Sequence, residues 1–222
     1  MSVLEDLLAI IAPHHCLRCD REGALLCAWC SLEVLGRPPQ RCYRCRRSSP
    51  AALCLQCRPQ TALTYIWVRT PYHDAAQALV AELKFKHARA AAQEIACAMA
   101  DRLPYFPADT VLTHVPAASS HVRQRGFDQA ALIAYELAKL RGLPHLTLLG
   151  RIGQQRQVGA DRQQRMQQMQ KAFRPLSKKM IKDARILIID DVLTTGSTLE
   201  AAAATLHAAG AKRVAAATFA QA

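Results

Sequence analysis

From residue 61 onward, short apolar runs alternate with longer stretches whose apolar positions recur at helical spacing. Ala62–Val68 is a β-prone run that ends at Thr70-Pro71, a helix-start signal. Two alanine-rich helices are predicted over about 73–87 and 88–102, with Cys97 in the second as a small buried hydrophobe. Val111-Leu112-Thr113-His114-Val115 predicts a strand stopped by Pro116. A helix over 128–141 opens on Asp128 as N-cap and ends before Gly142. Leu146–Leu149 is a short strand, and Arg185–Ile189 is a continuous apolar run suited to a strand buried on both faces. A helix over 197–209 stops at Gly210, and Val214–Phe219 makes a last strand. Strands separated by helices imply an α/β domain over 61–222, a parallel sheet with helices on both faces. In such sheets ligands bind beyond the carboxyl ends of the strands.

Residues 1–60 follow another pattern: a short N-terminal helix, then eight of the nine cysteines as four C-x-x-C pairs. These are Cys16/Cys19, Cys27/Cys30, Cys42/Cys45 and Cys54/Cys57, with seven, eleven and eight residues between pairs. Two sulfurs three positions apart clasp one ion, and a second pair completes a thiolate tetrahedron, so the set suits two structural Zn²⁺. The segment lacks the apolar mass to fold alone, and metal supplies an apparent ~10–16 kcal/mol per site. Neighbouring pairs give two zinc ribbons in series; interleaved pairs would give a cross-brace. The short gaps favour ribbons. A redox C-x-x-C wants one motif beside a βαβ unit, and none surrounds these. His14 and His15 read as surface residues.

Composition adds three constraints. With 51% hydrophobic and 21% charged residues the chain is globular. The longest early apolar stretch, Leu7–Ala12, is far short of the ~20 residues of a membrane span. Glu5 and Asp6 stand where a signal peptide would be basic, so a cytoplasmic protein is expected. The formal net charge is +12, and +8 once eight thiolates hold two Zn²⁺. Residues 121–185 carry fourteen basic and four acidic groups, a field that favours phosphate-bearing partners. Arg18, Arg41, Arg44, Arg46 and Arg47 flank the cysteines and could touch phosphates.

The most informative stretch runs from Ile186 to Thr198. Four aliphatics carry a strand to its end, where Asp190 and Asp191 emerge. Leu193, Thr194, Thr195, Gly196, Ser197 and Thr198 then lead into a helix whose N-terminus favours an anion. A sugar phosphate satisfies both ends at once. This stretch closely resembles the phosphoribosyl-pyrophosphate (PRPP) motif of type I phosphoribosyltransferases. The resemblance implies that Asp190 and Asp191 bind the ribose hydroxyls and that Thr194–Thr198 hold the 5′-phosphate. It also implies Mg²⁺ carried mainly by the substrate's pyrophosphate. An acidic turn that only caps the helix, or a receiver-type acidic pocket, are the rival readings.

A second loop, Pro116-Ala117-Ala118-Ser119, ends the earlier strand where that fold places its pyrophosphate loop, and Arg125-Gly126-Phe127-Asp128-Gln129 follows. With the cysteine-rich front end, this arrangement resembles the ComF/GntX family, linked to DNA uptake and utilisation in bacteria. Family members usually read Arg-Gly-Phe-Asn-Gln, and Asp128 stands here for the Asn. An acid there weakens attraction for pyrophosphate if it faces the site; otherwise it serves as the N-cap. Gln157, Arg165, Gln168 and Ala172-Phe173 fill places comparable to a further family segment. Residues 151–170, with Gln at eight positions from 154 to 170, suit a lid, a helix tracking nucleic acid or a solvated polar helix. Lys84 stands where the family often has a lysine that could meet pyrophosphate, although a helix end is commonly just exposed.

The resemblance implies PRPP or a related sugar phosphate as ligand, and transfer of phosphoribosyl to a nitrogen acceptor as the enzymatic option. The alternative is a non-catalytic, single-stranded-DNA-binding accessory protein with a vestigial or sensory PRPP pocket, working with DNA-uptake machinery proteins. Five Phe, five Tyr and two Trp leave little material for base stacking.

Overall fold

The structure is a computed structural model that describes residues 14–35, 39–85, 88–152 and 172–222. The expected N-terminal helix and the segment 153–170, with Gln157, Arg165 and Gln168, lie outside the described residues. Four parallel strands form the central sheet: β1 (Ile66–Pro71), β2 (Thr110–His114), β5 (Arg185–Leu193) and β6 (Arg213–Gln221), in the order β1-β6-β5-β2. A separate antiparallel pair joins β3 (Leu149–Arg151) to β4 (Phe173–Pro175). The helices are α1 (Ala28–Val34), α2 (Asp74–Phe85), α3 (Ala88–Ala100), α4 (Ser119–Arg125), α5 (Gln129–Arg141), α6 (Lys178–Ile181) and α7 (Ser197–Ala208).

Strand β5 lies inside the sheet, and its aliphatics divide by pleat. Leu187 and Ile189 enter a core with Leu79, Leu83, Ile95, Ile133 and Leu137 of α2, α3 and α5. Ile186 and Ile188 enter the opposite core with Leu199 and Leu206 of α7. A strand covered on both faces must be apolar throughout its covered length. The Asp pair interrupts this run near its carboxyl end, with Asp191 still buried and Leu193 beyond it returning to the core under α7.

The structure moves several expected boundaries. The first strand is Ile66–Pro71 rather than Ala62–Val68, because Thr70 and Pro71 still pair with Ala220 and Gln221. The run at Leu146 enters the β3–β4 ladder only at Leu149. The preceding residues instead cover the outer edge of β2, with Leu112 N–H donating to Pro144 O at 2.9 Å and Leu146 N–H to Leu112 O at 3.0 Å. Helices α1 and α4 and strand β4 are short and had no periodicity to reveal them. Cys97 is exposed, not buried: the helical phase of α3 turns Ile95, Ala96, Ala98 and Met99 inward and leaves position 97 outside. Among the described residues no helix is long and apolar enough to cross a membrane.

The cysteine-rich segment straddles the sheet. Cys16, Leu25, Leu26, Cys30 and Leu35 belong to the core beneath α2 and α3, whereas Cys42, Tyr43, Leu53, Cys57 and Leu63 belong to the core beneath α7. Leu53 is 1% exposed. Its truncation to Ala should cost about 2–5 kcal/mol, read as a lower urea midpoint. Sharing of the cores predicts one transition reported alike by ribbon and sheet probes. A separate early ribbon transition would contradict it.

Candidate functional site: a sugar-phosphate cleft beside two zinc ribbons

The ribbons repeat one turn. Cys16 N–H donates to Arg21 O at 2.9 Å, as Cys42 N–H does to Arg47 O at 2.9 Å. Asp20 and Arg46 take left-handed φ values of 59° and 61° at matching places. Each turn reads C-x-R-C, with Leu17 in the first and Tyr43 in the second. The sulfurs gather as Cys16/Cys19/Cys27/Cys30 and Cys42/Cys45/Cys54/Cys57, each set within 4.8 Å, which is the ribbon pairing rather than the cross-brace.

Zinc fits both sets. Zn–S bonds of about 2.3 Å in a tetrahedron separate sulfurs by about 3.8 Å. Cys19 and Cys27 stand 3.7 Å apart, and Cys45 and Cys54 3.9 Å. Burial pushes the Cys16 thiol up, but the N–H groups of Cys27, Cys19 and Arg18 outweigh it and hold the thiol at about 6. Cys42 is held at about 6 in the same way, by the N–H groups of Cys54, Cys45 and Arg44 against burial. Burial and the surrounding sulfurs push Cys30 and Cys57 up to about 12, so an incoming metal must displace their protons. Four protein sulfurs around each ion would leave no position for water, so zinc held there would be structural.

At the carboxyl end of β5 each acid accepts the next backbone N–H: Asp191 N donates to Asp190 Oδ1 at 2.9 Å, and Val192 N to Asp191 Oδ1 at 2.8 Å. These bonds fix the two carboxylates side by side. Lys84, on the last turn of α2, places Nζ 2.8 Å from Asp191 Oδ2 with its side chain only 23% exposed. It is a member of the cleft, not a free helix end. Burial and then the charge of Asp191 raise Asp190 well above the usual carboxylate range, against the pull of the Asp191 N–H and Lys84.

The loop after β5 presents exposed Thr194, Thr195 and Ser197, whereas Gly196 is buried. Thr195 Oγ1 lies 2.9 Å from Ser197 Oγ and accepts the Ser197 N–H at 3.4 Å, which gathers the hydroxyls at the start of α7. Gly196 has φ +76°, open to glycine without strain.

The second loop leaves β2 at Val115, held by its N–H on Ile189 O at 3.0 Å. Asp128 N-caps α5, accepting from Ala130 and Ala131 N–H at 3.1 and 3.3 Å. Its other oxygen accepts the Ala117 N–H at 2.7 Å. The acid is therefore a cap and a loop anchor, and it takes one amide away from any anion. Arg151 Nη1 holds the Pro116 carbonyl at 3.2 Å. Arg125 bonds Gln129 at 3.2 Å and lies 5.3 Å over the ring of Phe85, the neighbour of Lys84. Behind the loop, His114 Nδ1 and His145 Nε2 lie 3.2 Å apart, and burial keeps both imidazoles toward the neutral form.

A phosphoribosyl transferase domain family matches residues 122–222. The DNA utilization protein YhgH of Salmonella typhi is 29% identical over 211 residues, 90% of this chain and 85% of that protein. Competence protein F of Haemophilus influenzae is 31% identical over 105 residues, 45% of this chain and 46% of that protein. Both relatives and the two four-cysteine sets point one way. These findings support a likeness to the ComF family. A solved structure of the allosteric regulatory enzyme of purine biosynthesis matches 57% of this chain and 25% of that one, at 21% identity and TM-score 0.40, too remote to bear on function.

In this chain, sequence reasoning passed over Tyr43, Glu200 and Arg151. Tyr43 donates its hydroxyl to Glu200 Oε1, and burial and that carboxylate push the phenol up, so it stays a donor. The sequence signal was the lone difference between the two C-x-R-C turns.

A raised carboxyl pKa means that the ionised form is disfavoured in the folded state. The penalty is full above the folded value and fades as pH falls toward the ordinary value of about 3.9. Asp190→Asn keeps the Oδ1 acceptor without the charge. Thermal melts should place the variant roughly 2–4 °C above the parent at pH 8, with the gap closing toward pH 4. A variant less stable at pH 8 would contradict this electrostatics.

Proposed function

We propose that this chain binds PRPP with Mg²⁺ at the carboxyl end of β5 and serves DNA utilisation as a phosphoribosyltransferase-type protein. The observation that carries this is the Asp190/Asp191 pair beside Lys84, followed directly by a hydroxyl-rich loop that opens α7. The loop Thr194–Thr198 offers hydroxyls, backbone N–H groups and the helix dipole to a 5′-phosphate. The fixed carboxylates accept hydrogen bonds from the ribose 2′- and 3′-hydroxyls. Pyrophosphate falls to the side of Lys84 and of Arg125, whose guanidinium lies over the ring of Phe85, the residue after Lys84. Since Asp128 occupies the Ala117 amide, the grip there relies on side-chain charge more than on loop amides. Mg²⁺ carried on the pyrophosphate supplies charge neutralisation to the leaving group. In the transfer, the C1–oxygen bond breaks with its electron pair going to pyrophosphate, the lone pair of a nitrogen acceptor forms the new bond to C1, and the proton that nitrogen loses passes to the released pyrophosphate or to water. The chain contributes positioning and an electrostatic frame. The names of the two relatives support the DNA setting.

Calorimetric titration of PRPP with Mg²⁺ into zinc-loaded protein tests this. The parent should bind, and the Asp190→Asn/Asp191→Asn variant should lose binding by at least about a hundredfold, as two hydrogen bonds to charged groups are worth about 1.5–3 kcal/mol each. Equal affinity in both proteins, or none in the parent, would overturn the assignment.

A second, compatible reading is contact with single-stranded DNA. Its support is Trp29 on α1, 72% exposed, with Leu32 at 80% on the same side, in a chain of net charge +12. An open indole face suits base stacking. Oligonucleotide affinity should fall steeply with salt, and Trp29→Ala should weaken it about tenfold or more without changing PRPP affinity. Salt-independent binding, or an unaffected Trp29→Ala variant, would contradict it.

A further inference from the structure

The second ribbon is built into the phosphate loop, and the first is not. The Tyr43 ring lies against Gly196 so closely that a Cβ on the glycine would fall 2.2 Å from Cε2 and 2.5 Å from Cδ2. Tyr43 itself is 3% exposed. Its hydroxyl donates to Glu200 in the first turn of α7. The same carboxylate lies 3.6 Å from Arg44 Nη1 and accepts the Ala62 N–H at 3.2 Å. Three groups from the ribbon and the segment after it thus hold one side chain at the start of α7. On the upstream side, Arg46 Nη1 donates to Ala222 O at 3.3 Å, and Ala222 N–H donates to Leu193 O at 3.0 Å. The residues on both sides of Thr194–Thr195 are therefore tied to the turn that contains Cys42 and Cys45.

In the first ribbon the place of Tyr43 is taken by Leu17, which is 39% exposed. That ribbon packs in the opposite core, beneath α2 and α3. The two metal sites, alike in ligands, are unlike in what they touch.

The geometry points to Tyr43 as a positioning residue of the phosphate loop, and to the second zinc ribbon as the rigid wall that holds it there. This rests on Thr194–Thr198 being the phosphate loop. The ring fills the outer side of Gly196, so the loop cannot relax away from the cleft, and its exposed hydroxyls stay aimed at the opposite side. A loop ordered before binding avoids the entropy of being ordered by the ligand. The Cys42–Cys45 turn is short and has little regular structure of its own, so its rigidity depends on the metal. Sugar-phosphate affinity should accordingly follow the state of the second ribbon and ignore the surface of the first.

Two readouts on the full, zinc-loaded chain test this. Amide hydrogen exchange without ligand reads the loop directly: Tyr43→Ala should speed exchange at residues 196–200 about tenfold or more, whereas Tyr43→Phe, which keeps the ring, should stay near the parent. Leu17→Ala should leave that stretch unchanged. Titration with ribose 5-phosphate and with inorganic phosphate should show the same order, with Tyr43→Ala about tenfold weaker and Tyr43→Phe restoring affinity to within about twofold. Cys45→Ser should behave as Tyr43→Ala; if it does not fold, Tyr43→Ala decides. Parent-like exchange and affinity in Tyr43→Ala, or an equal loss in Leu17→Ala, would overturn the inference. If the parent binds neither probe, the sugar-phosphate assignment fails while the exchange data still decide the role of Tyr43.

Discussion

A strand covered on both faces must give any polar side chain it carries a partner, and the geometry around Asp190 and Asp191 follows from that constraint on β5. Ile186 to Ile189 are spent alternately on two cores. Asp190 and Asp191 come next, at the carboxyl end where the neighbouring strands also deliver their loops. Burying Asp190 and setting it beside a second carboxylate are both unfavourable, burial the more so, and together they raise Asp190. Lys84 and two backbone N–H groups offset part of it. A ligand with vicinal hydroxyls and a cation-bearing pyrophosphate would relieve more, because it brings donors to both acids.

The ribbons answer a different shortage. A cysteine-rich stretch with few large apolar residues cannot build its own core, and here its buried residues are lodged in the two cores of the sheet. One ribbon lies on the α2/α3 side and the other on the α7 side. Metal fixes each turn, and each turn then fixes part of the domain. On the α7 side that part is the loop at Gly196 and the first turn of α7, which Tyr43 touches through Gly196 and Glu200.

Much of this was legible in the sequence because its cause is local. Cysteine spacing pointed to two four-sulfur sets and favoured neighbouring pairs, and the structure decides for them over the cross-brace. The apolar run before Asp190 gave the buried strand, and Asp128 before an amphipathic stretch gave the N-cap. The contacts that sequence missed join distant positions. Tyr43 and Glu200 are 157 residues apart. Lys84 and Asp191 meet because α2 packs over the end of β5. The shift of the first strand to Ile66–Pro71 has the same origin, since β6 is long enough to keep Thr70 and Pro71 paired. Pro71 could not be expected inside a strand from local preference alone.

The most direct measurement is a crystal structure of the zinc-loaded protein with PRPP and Mg²⁺, recorded at the zinc edge. The account predicts anomalous signal within both four-cysteine sets, the 5′-phosphate on Thr194–Thr198, the ribose hydroxyls on Asp190 and Asp191, and the Tyr43 ring still against Gly196. A ligand bound away from the end of β5, or a phosphate loop detached from the second ribbon, would contradict it.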